Sequence, residues 1–364
     1  MRCVSLFSGC GGLDLGLEQA GFTIVLAVDN WGRAAESYAA NRPNTPFYKG
    51  SVNDLTLSLM KNVSNRGIAE GVDLLAGGPP CPPYSKSRFY RKNKPRALAD
   101  KLGQETMAGY LQVLRFLKPR TFLLENVAGM AYKVHRQALE LLETTACELG
   151  YKTTWRVLNA ADYGVPQIRE RFFMVGMRDA QLDFPPPTHC QEGSGDRPRW
   201  RTAGEAINDL DTEENADDTG HFAGGQYNHF LKQVPPGDNY LFFTKERGHP
   251  NPVFGWRKRY WSFLLKLSPN LPSWTIQARR SNNMGPFHWR NRLLRIEEVK
   301  RLQTFPDDWH LAGRIEEQWR QVGNAVPPLL AYHLGKALAE QLGRGGSRTR
   351  NGTRDEVADL TSKP

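Results

Sequence analysis

Residues 3–29 read CVSLFSGCGGLDLGLEQAGFTIVLAVD, and their reading decides the fold. The apolar run CVSLF gives way to a glycine-rich turn, then to helical spacing from about Leu13 to Ala20, then to a second apolar run, TIVLAVD. Continuous apolar strands joined by a helix form a βαβ unit, and such strands lie in a parallel sheet covered on both faces. Outward from this unit the rhythm continues. A helix is expected from Trp31, a strand in TPFYKGSV, a helix from Leu55, a strand in VDLLAGG, a helix ending near Leu117 and a strand in TFLLENV. The predicted class is α/β, a doubly wound, mostly parallel sheet whose ligands sit beyond the strands' carboxyl ends.

After RFFMVGM at 171–177 the rhythm stops, and PPPTHCQEGSGDRPRWR opens a polar stretch. The predicted organisation is a first domain over 1–177, an insert over 178–290, a return to the first domain over 291–342, and a disordered tail over 343–364. The tail has too little apolar content to pack. Within the insert an acidic patch around Glu205, Asp209, Asp211, Glu213, Glu214, Asp217 and Asp218 precedes the segment Arg257 to Ile296, which is basic and holds no acid. Amphipathic helices return at about Ile296–Gln303 and Leu329–Leu342.

Composition narrows the class of function. No stretch of the 364 residues has the length of a membrane span or of a signal peptide's apolar core, so a soluble cytoplasmic protein is expected. The five cysteines (Cys3, Cys10, Cys81, Cys147, Cys190) are scattered, with no spacing that would cage zinc. A reducing compartment and no structural metal follow. A formal charge of +10 points toward a polyanion, of which nucleic acid is the commonest, although a solvated basic face reads the same way.

Candidate residues stand at the predicted strand ends. The turn from Phe7 to Gly16 lets backbone approach a ligand and aims helix N–H groups at it. Asp29, ending the second strand, can accept both hydroxyls of a ribose, so a nucleoside-bearing cofactor is favoured. Phe7 and Trp31 would sandwich an adenine or serve as core. In GGPPCPPYS (77–85) four prolines hold Cys81 on a stiff turn, and Glu125 ends the next strand in LLENV. Adjacent strands lie about 4.8 Å apart, so thiol and carboxylate would converge on one substrate. In GVPQIRERFFMVG, Gln167, Arg169 and Arg171 alternate and point to one side of an extended chain.

Taken in order, FSGCGGLDLGLEQAGF, AVDNW, GGPPC, ENV, QIRER and QVGNAVPP resemble the motif set of DNA cytosine-5 methyltransferases from Val4 to about Leu342. The resemblance implies that Phe7, Ser8, Gly9, Gly11, Gly12 and Leu13 hold S-adenosylmethionine. Asn30, Trp31, Val52, Pro79, Asn324 and Ala325 would complete that site, and Asp29, where the family more often has glutamate, would take the ribose. Cys81 would be the nucleophile, Glu125 the group at N3 and the amino group of cytosine, and Arg169 with Arg171 the binders of O2 and neighbouring backbone. Two departures stand out. Gly50-Ser51-Val52 lacks the family's aspartate to the adenine amino group, for which Asn53 or Asp54 would substitute, and Pro82-Pro83-Tyr84-Ser85 replaces the usual Gln-x-Phe-Ser.

The chemistry accounts for the residue types. A thiolate must add to C6 before C5 of cytosine can take a methyl group, and the target base must leave the duplex stack. Double-stranded DNA is the partner expected. Ser85, Lys86, Arg88, Arg91 and Lys92 after the cysteine, with Arg257 and Arg259 in the insert, would hold phosphates. WTIQARR (274–280) resembles the base-reading segment of the family, with Thr275, Gln277, Arg279 and Arg280 as candidates. Two rivals are a tRNA cytosine methyltransferase, which would carry Cys-Phe-Thr, and an inactive DNA-binding relative, which would have lost one of Cys81, Glu125, Asn126, Arg169 or Arg171. A monomer is expected, with a cognate restriction endonuclease, where present, acting separately.

Overall fold

In the computed structural model, residues 1–65, 67–85, 95–212, 221–223, 225–257 and 260–344 are described, together with the backbone of 345–351. The chain runs β1 (Arg2–Leu6), α1 (Gly12–Gln19), β2 (Thr23–Asp29), α2 (Gly32–Asn41), β3 (Phe47–Lys49), α3 (Leu57–Val63), β4 (Leu74–Gly77), α4 (Lys101–Leu117) and β5 (Thr121–Val127). It continues through α5 (Arg136–Glu148), β6 (Lys152–Asn159), β7 (Gln167–Ile168) and β8 (Glu170–Met177). The remainder holds α6 (Ala203–Ile207), α7 (Asn228–Leu231), β9 (Ser273–Trp274), α8 (Ile296–Leu302), α9 (Ile315–Asn324) and α10 (Pro328–Asn351).

Seven strands form one sheet in the order β3-β2-β1-β4-β5-β8-β6. The pairs from β3 through β5 are parallel, as continuous apolar runs require, while β8 runs antiparallel to both β5 and β6. Strand order reverses between β1 and β4. In a doubly wound sheet that reversal opens a crevice at the strands' carboxyl ends. The glycine turn leaves β1 and the cysteine turn leaves β4, so both candidate loops flank it.

Alternating residues of each strand feed two cores. On one face Val4, Leu6, Leu75, Phe122 and Leu124 pack with Met107, Tyr110 and Leu114 of α4 and Leu139 and Leu142 of α5. On the other, Cys3, Ile24, Ala76 and Phe173 pack with Leu13 and Leu17 of α1 and Leu330, Leu334 and Leu338 of α10. The chain's C-terminal helix thus closes the face opened by its first.

The structure holds elements that the sequence reading did not name, α5, β6 and α9 among them, and lengthens another. Strand β6 was not expected, because KTTWRVLN lies at the sheet edge with Trp155 and Val157 solvent-exposed and so presents no apolar run. The backbone of α10 continues to Asn351, past the tail boundary expected after Leu342. Among the described side chains the last buried apolar one is Leu342, but each added helical residue closes one more hydrogen bond once a helix is nucleated.

Two further clusters involve the insert. Tyr227, Phe230, Tyr240, Phe243, Phe254 and Phe263 form a nest of largely edge-to-face rings inside it. A seam then joins Leu267 and Ile276 to Leu302, Phe305, Trp319 and Val322 and to Cys10 of the glycine turn. Where the chain returns, the buried Arg292 guanidinium makes a two-pronged ion pair with the Glu298 carboxylate, at 2.7 and 2.8 Å. No helix is long and apolar enough to cross a membrane among the described residues.

Candidate active site

The turn after β4 is set by its prolines. Pro82–Tyr84 form a single 3-10 turn that presents Cys81 half-buried at its head. Beneath it, the Asn126 side-chain amide donates to the Pro79 carbonyl at 3.1 Å, fastening the cysteine turn to the end of β5. Asn126 thereby has a holding task that the sequence left open. A Cβ on Gly78 would stand 2.8 Å from Glu125 Oε2, so the missing side chain makes room for the carboxylate between the two strand ends.

Register explains the next contact. In the antiparallel β5–β8 pair, Glu125 opposes Phe173 and Val127 opposes Arg171, so Glu125 and Arg171 are diagonal neighbours on one face. Arg171 Nε lies 3.2 Å from Glu125 Oε1. Burial pushes the Glu125 carboxyl above its ordinary pKa, against the opposing pull of Arg171 and Arg169. The Cys81 thiol is raised by burial too, with Arg171 and Arg169 favouring the thiolate and Glu125 disfavouring it. Thiol, carboxylate and guanidinium therefore share one electrostatic environment.

Arg169 departs from its expected place. Its side chain is completely buried and donates to the carbonyls of Ile276 at 3.1 Å, Gly323 at 2.8 Å and Ala325 at 2.9 Å. It does not point alongside Arg171 toward a base. The cause is a change of partner: Gln167–Ile168 pair with β9 in a separate two-stranded sheet, whereas Glu170 onward pairs with β5 and β6, and the chain turns at Arg169. Gln167 lies in the same buried network, its amide donating to Gln303 Oε1 at 2.8 Å.

At the neighbouring crevice, Phe7 and Gly9 both take φ of +56°, a strained conformation for phenylalanine. A Cβ on Gly9 would meet nothing within 4 Å, so that backbone faces open space. Asp29 ties the loop down by accepting from Gly9 N–H at 2.9 Å and Trp31 N–H at 2.8 Å. A carboxylate has about four acceptor positions, so acceptor capacity remains for a hydroxyl group. Over the Trp31 ring stands the Arg320 guanidinium, 4.6 Å from the centroid. Asn30 and Asn324 are exposed, and Ala325 is half-buried. The open cradle, acceptor and aromatic ring fit a nucleoside-bearing cofactor.

Other expected cofactor residues serve the fold through their side chains. Leu13 and Val52 are in the core, and the Ser8 hydroxyl bonds within the β1–β2 ends, accepting from Val28 N–H at 3.2 Å. Gly11, at φ +90°, caps α1, and Gly12 packs on the C-terminal segment, where a Cβ would stand 2.5 Å from the Val326 carbonyl. Asn53 Oδ1 lies against Gly109 of α4. Pro79 is buried, its carbonyl taken by Asn126.

A cleft of about 410 Å³ adjoins the cysteine turn, bounded by Ser85, Gly129, Tyr132, Glu170, Trp274 and Thr275. The Thr275 hydroxyl donates to the Ile168 carbonyl at 2.8 Å, so it is engaged within the chain, while Gln277 and Arg279 are exposed beyond it and Arg280 is half-buried. Arg257 is exposed on the insert. Lys86, Arg88, Arg91, Lys92 and Arg259 lie outside the described residues, as do Glu213, Glu214, Asp217 and Asp218 of the acidic patch. A larger groove of about 820 Å³ runs past Arg201, Arg301 and Phe305 and contains none of the strand-end residues. Sequence reasoning missed Gln303 and Trp319; the signal for both was a polar-tipped residue on the buried side of an amphipathic helix or at its end.

Comparison with known proteins agrees with this architecture. The sequence profile of C-5 cytosine-specific DNA methylases matches residues 1–340. The type II methyltransferase M.SacI of Streptomyces achromogenes is 38% identical, over 95% of this chain and 94% of that one. M1.HphI of Haemophilus parahaemolyticus, also named a type II methyltransferase, is 31% identical over 92% and 86%. Among solved structures, a prophage-encoded E. coli protein described as a DNA modification methyltransferase superposes with a TM-score of 0.66 at 22% identity, covering 94% of this chain and 99% of its own. Dnmt2 of S. pombe does so at 0.63 and 18%, covering 94% and 99%. The chain belongs to the C-5 cytosine-specific DNA methylase family and is a DNA cytosine-5 methyltransferase.

Proposed function

We propose that the chain transfers a methyl group from S-adenosylmethionine to C5 of a cytosine flipped out of a specific double-stranded DNA sequence, through a covalent bond between Cys81 and C6. The observation that carries this reading is the pairing of buried Glu125 with half-buried Arg171 beside the Cys81 turn on adjoining strand ends. S-adenosylmethionine, when bound, supplies an electrophilic methyl group. Phe7, Gly9, Asp29, Trp31, Asn324 and the backbone around Leu13, Val52 and Ala325 would hold it in the crevice.

The chain's own groups manage the base. The Cys81 thiolate forms a bond to C6, and the electron pair of the C5–C6 double bond moves toward N3, which takes a proton from Glu125. Burial strengthens the hold of Glu125 on that proton, against the pull of Arg171 and Arg169. Arg171 orients the carboxyl group and offers N–H to the developing charge at O2. C5, now electron-rich, takes the methyl group. Loss of the C5 proton to solvent then restores the C5–C6 double bond and expels Cys81 as the thiolate, while N3 returns its proton to Glu125.

Flipping the cytosine costs a few kcal/mol, which contacts to DNA must offset. Residues 178–290 are proposed as the recognition domain, with Arg257, Arg259, Gln277, Arg279 and Arg280 as contacts to DNA and Lys86, Arg88, Arg91 and Lys92 as contacts to phosphates. Relatives named type II methyltransferases support a role in a restriction-modification system. In this reading the chain acts as a monomer on cytoplasmic, nucleoid DNA, apart from any cognate endonuclease. Bisulfite sequencing of DNA from cells expressing the chain tests this. Unconverted cytosines should share one sequence context, and a Cys81→Ser variant should leave none. Equal protection by that variant, or none by either protein, contradicts the reading.

A further inference from the structure

We infer that Arg169 is a positioning residue, which locks the segment 274–278 and the turn 323–325 into one rigid unit and so fixes the recognition surface relative to the cytosine pocket. This rests on the proposed reading of residues 275–280 as the DNA-reading segment. One guanidinium accepts no bonds and donates three, to carbonyls from β9's continuation and from the two sides of Asn324. The planar fork of arginine can serve three fixed acceptors lying around it, which the compact ammonium of lysine serves less well.

Neighbouring contacts fasten the segment 274–278 to β7 on one side and to α9 on the other. Ile276 N–H donates to Gln167 Oε1 at 3.0 Å, and the Trp319 indole donates to the Gln277 carbonyl at 2.8 Å. At Gly323 a Cβ would stand 2.6 Å from that carbonyl, so α9 and the recognition segment touch backbone to backbone. Two residues along the chain, Arg171 reaches Glu125. A shift of the recognition segment is therefore transmitted through Arg169 to the strand that carries Arg171, and to the turn that carries Asn324. Residues such as Arg169 act on specificity through the bonds they hold rather than by touching DNA.

The test uses the full chain, with the cognate site taken from bisulfite sequencing. Arg169→Lys and Trp319→Phe are compared with wild type in cofactor-free DNA binding, by fluorescence anisotropy against the cognate duplex and single-base variants, and in steady-state methyl transfer. Losing charge-assisted hydrogen bonds should cut the cognate-to-variant affinity ratio by about tenfold in Arg169→Lys, and kcat/KM for DNA should fall by more than kcat. Trp319→Phe, which keeps a ring and loses one donor, should move both readings the same way by a smaller factor, and carries the test if the lysine variant does not fold. A fall in kcat alone, with discrimination and KM at wild-type values, would mean that Arg169 contacts the reacting base and overturns the inference. Wild-type protein that forms no methylcytosine would instead overturn the methyltransferase reading, independently of either variant.

Discussion

Two buried carboxyl groups carry the sharpest consequences at the residue scale. Glu125 sits where burial favours the acid and the guanidinium at 3.2 Å favours the carboxylate, and burial prevails. A proton donor at N3 needs that balance. Glu125→Gln keeps the shape and a donor but has no transferable proton. It should still bind duplex DNA, yet slow covalent addition by about 10²–10⁴-fold in a trapping assay with 5-fluorocytosine at the target position. Trapping at the wild-type rate would reduce Glu125 to a positioning role. Asp14 is the second case: completely buried in α1, it accepts from Ser5 Oγ at 2.5 Å and Tyr38 OH at 2.7 Å, and burial pushes its pKa up to about 6. A carboxyl whose folded pKa is raised lends stability that is complete below its unfolded value and lost as pH rises through the folded one. Unfolding free energies of wild type and Asp14→Asn, compared between pH 4 and pH 7, should therefore show the wild type losing about 2 kcal/mol relative to the variant. A constant difference would mean that Asp14 is charged throughout.

Elements decide which of these residues can meet. Glu125 and Cys81 were legible in the sequence because LLAGG and TFLLENV are uninterrupted apolar runs, and parallel strands deliver their next residues to a common edge. Arg169 was not, since alternation places it beside Arg171 only in a strand that keeps its partners, and β7 and β8 belong to different sheets. Strand β6 was hidden by its half-solvated edge. The glycines of the first turn were legible as a turn but not as packing sites: α1 lies so close to the start of α10 that Gly12 has no room for a methyl group. Gly12→Ala should cost about 1–3 kcal/mol in a denaturant titration, the usual size of an overpacking penalty. Wild-type stability would show that the Val326 turn yields freely. In the segment after β9, Arg279 is exposed while the Thr275 hydroxyl is spent on Ile168. Arg279→Ala should relax base choice at one position by about 1–3 kcal/mol in competition binding, whereas equal weakening on every sequence would mark a phosphate contact.

At the scale of the whole molecule, the fold brings together residues from both ends of a long chain. α10 covers the sheet face that α1 leaves open, and the turn before it meets the glycine loop, so the crevice is complete only when residues 321–326 have returned. The insert contributes its own aromatic core and packs through Ile276 against Trp319 of α9, which makes it one packed body with the returning chain. Such long-range closure is invisible to local patterning, though the motif order anticipated it. A net charge of +10 lies on this body, suited to a polyanionic substrate. The central claim is that the thiol on the proline-fenced turn attacks the base. Its most direct test is peptide mapping by mass spectrometry of the complex formed with a cognate duplex carrying 5-fluorocytosine, in the presence of S-adenosylmethionine. The account predicts one cross-linked peptide, the one containing Cys81, and no complex with Cys81→Ser; a cross-link at Cys10, Cys147 or Cys190, or methyl transfer by the serine variant at the wild-type rate, would contradict it.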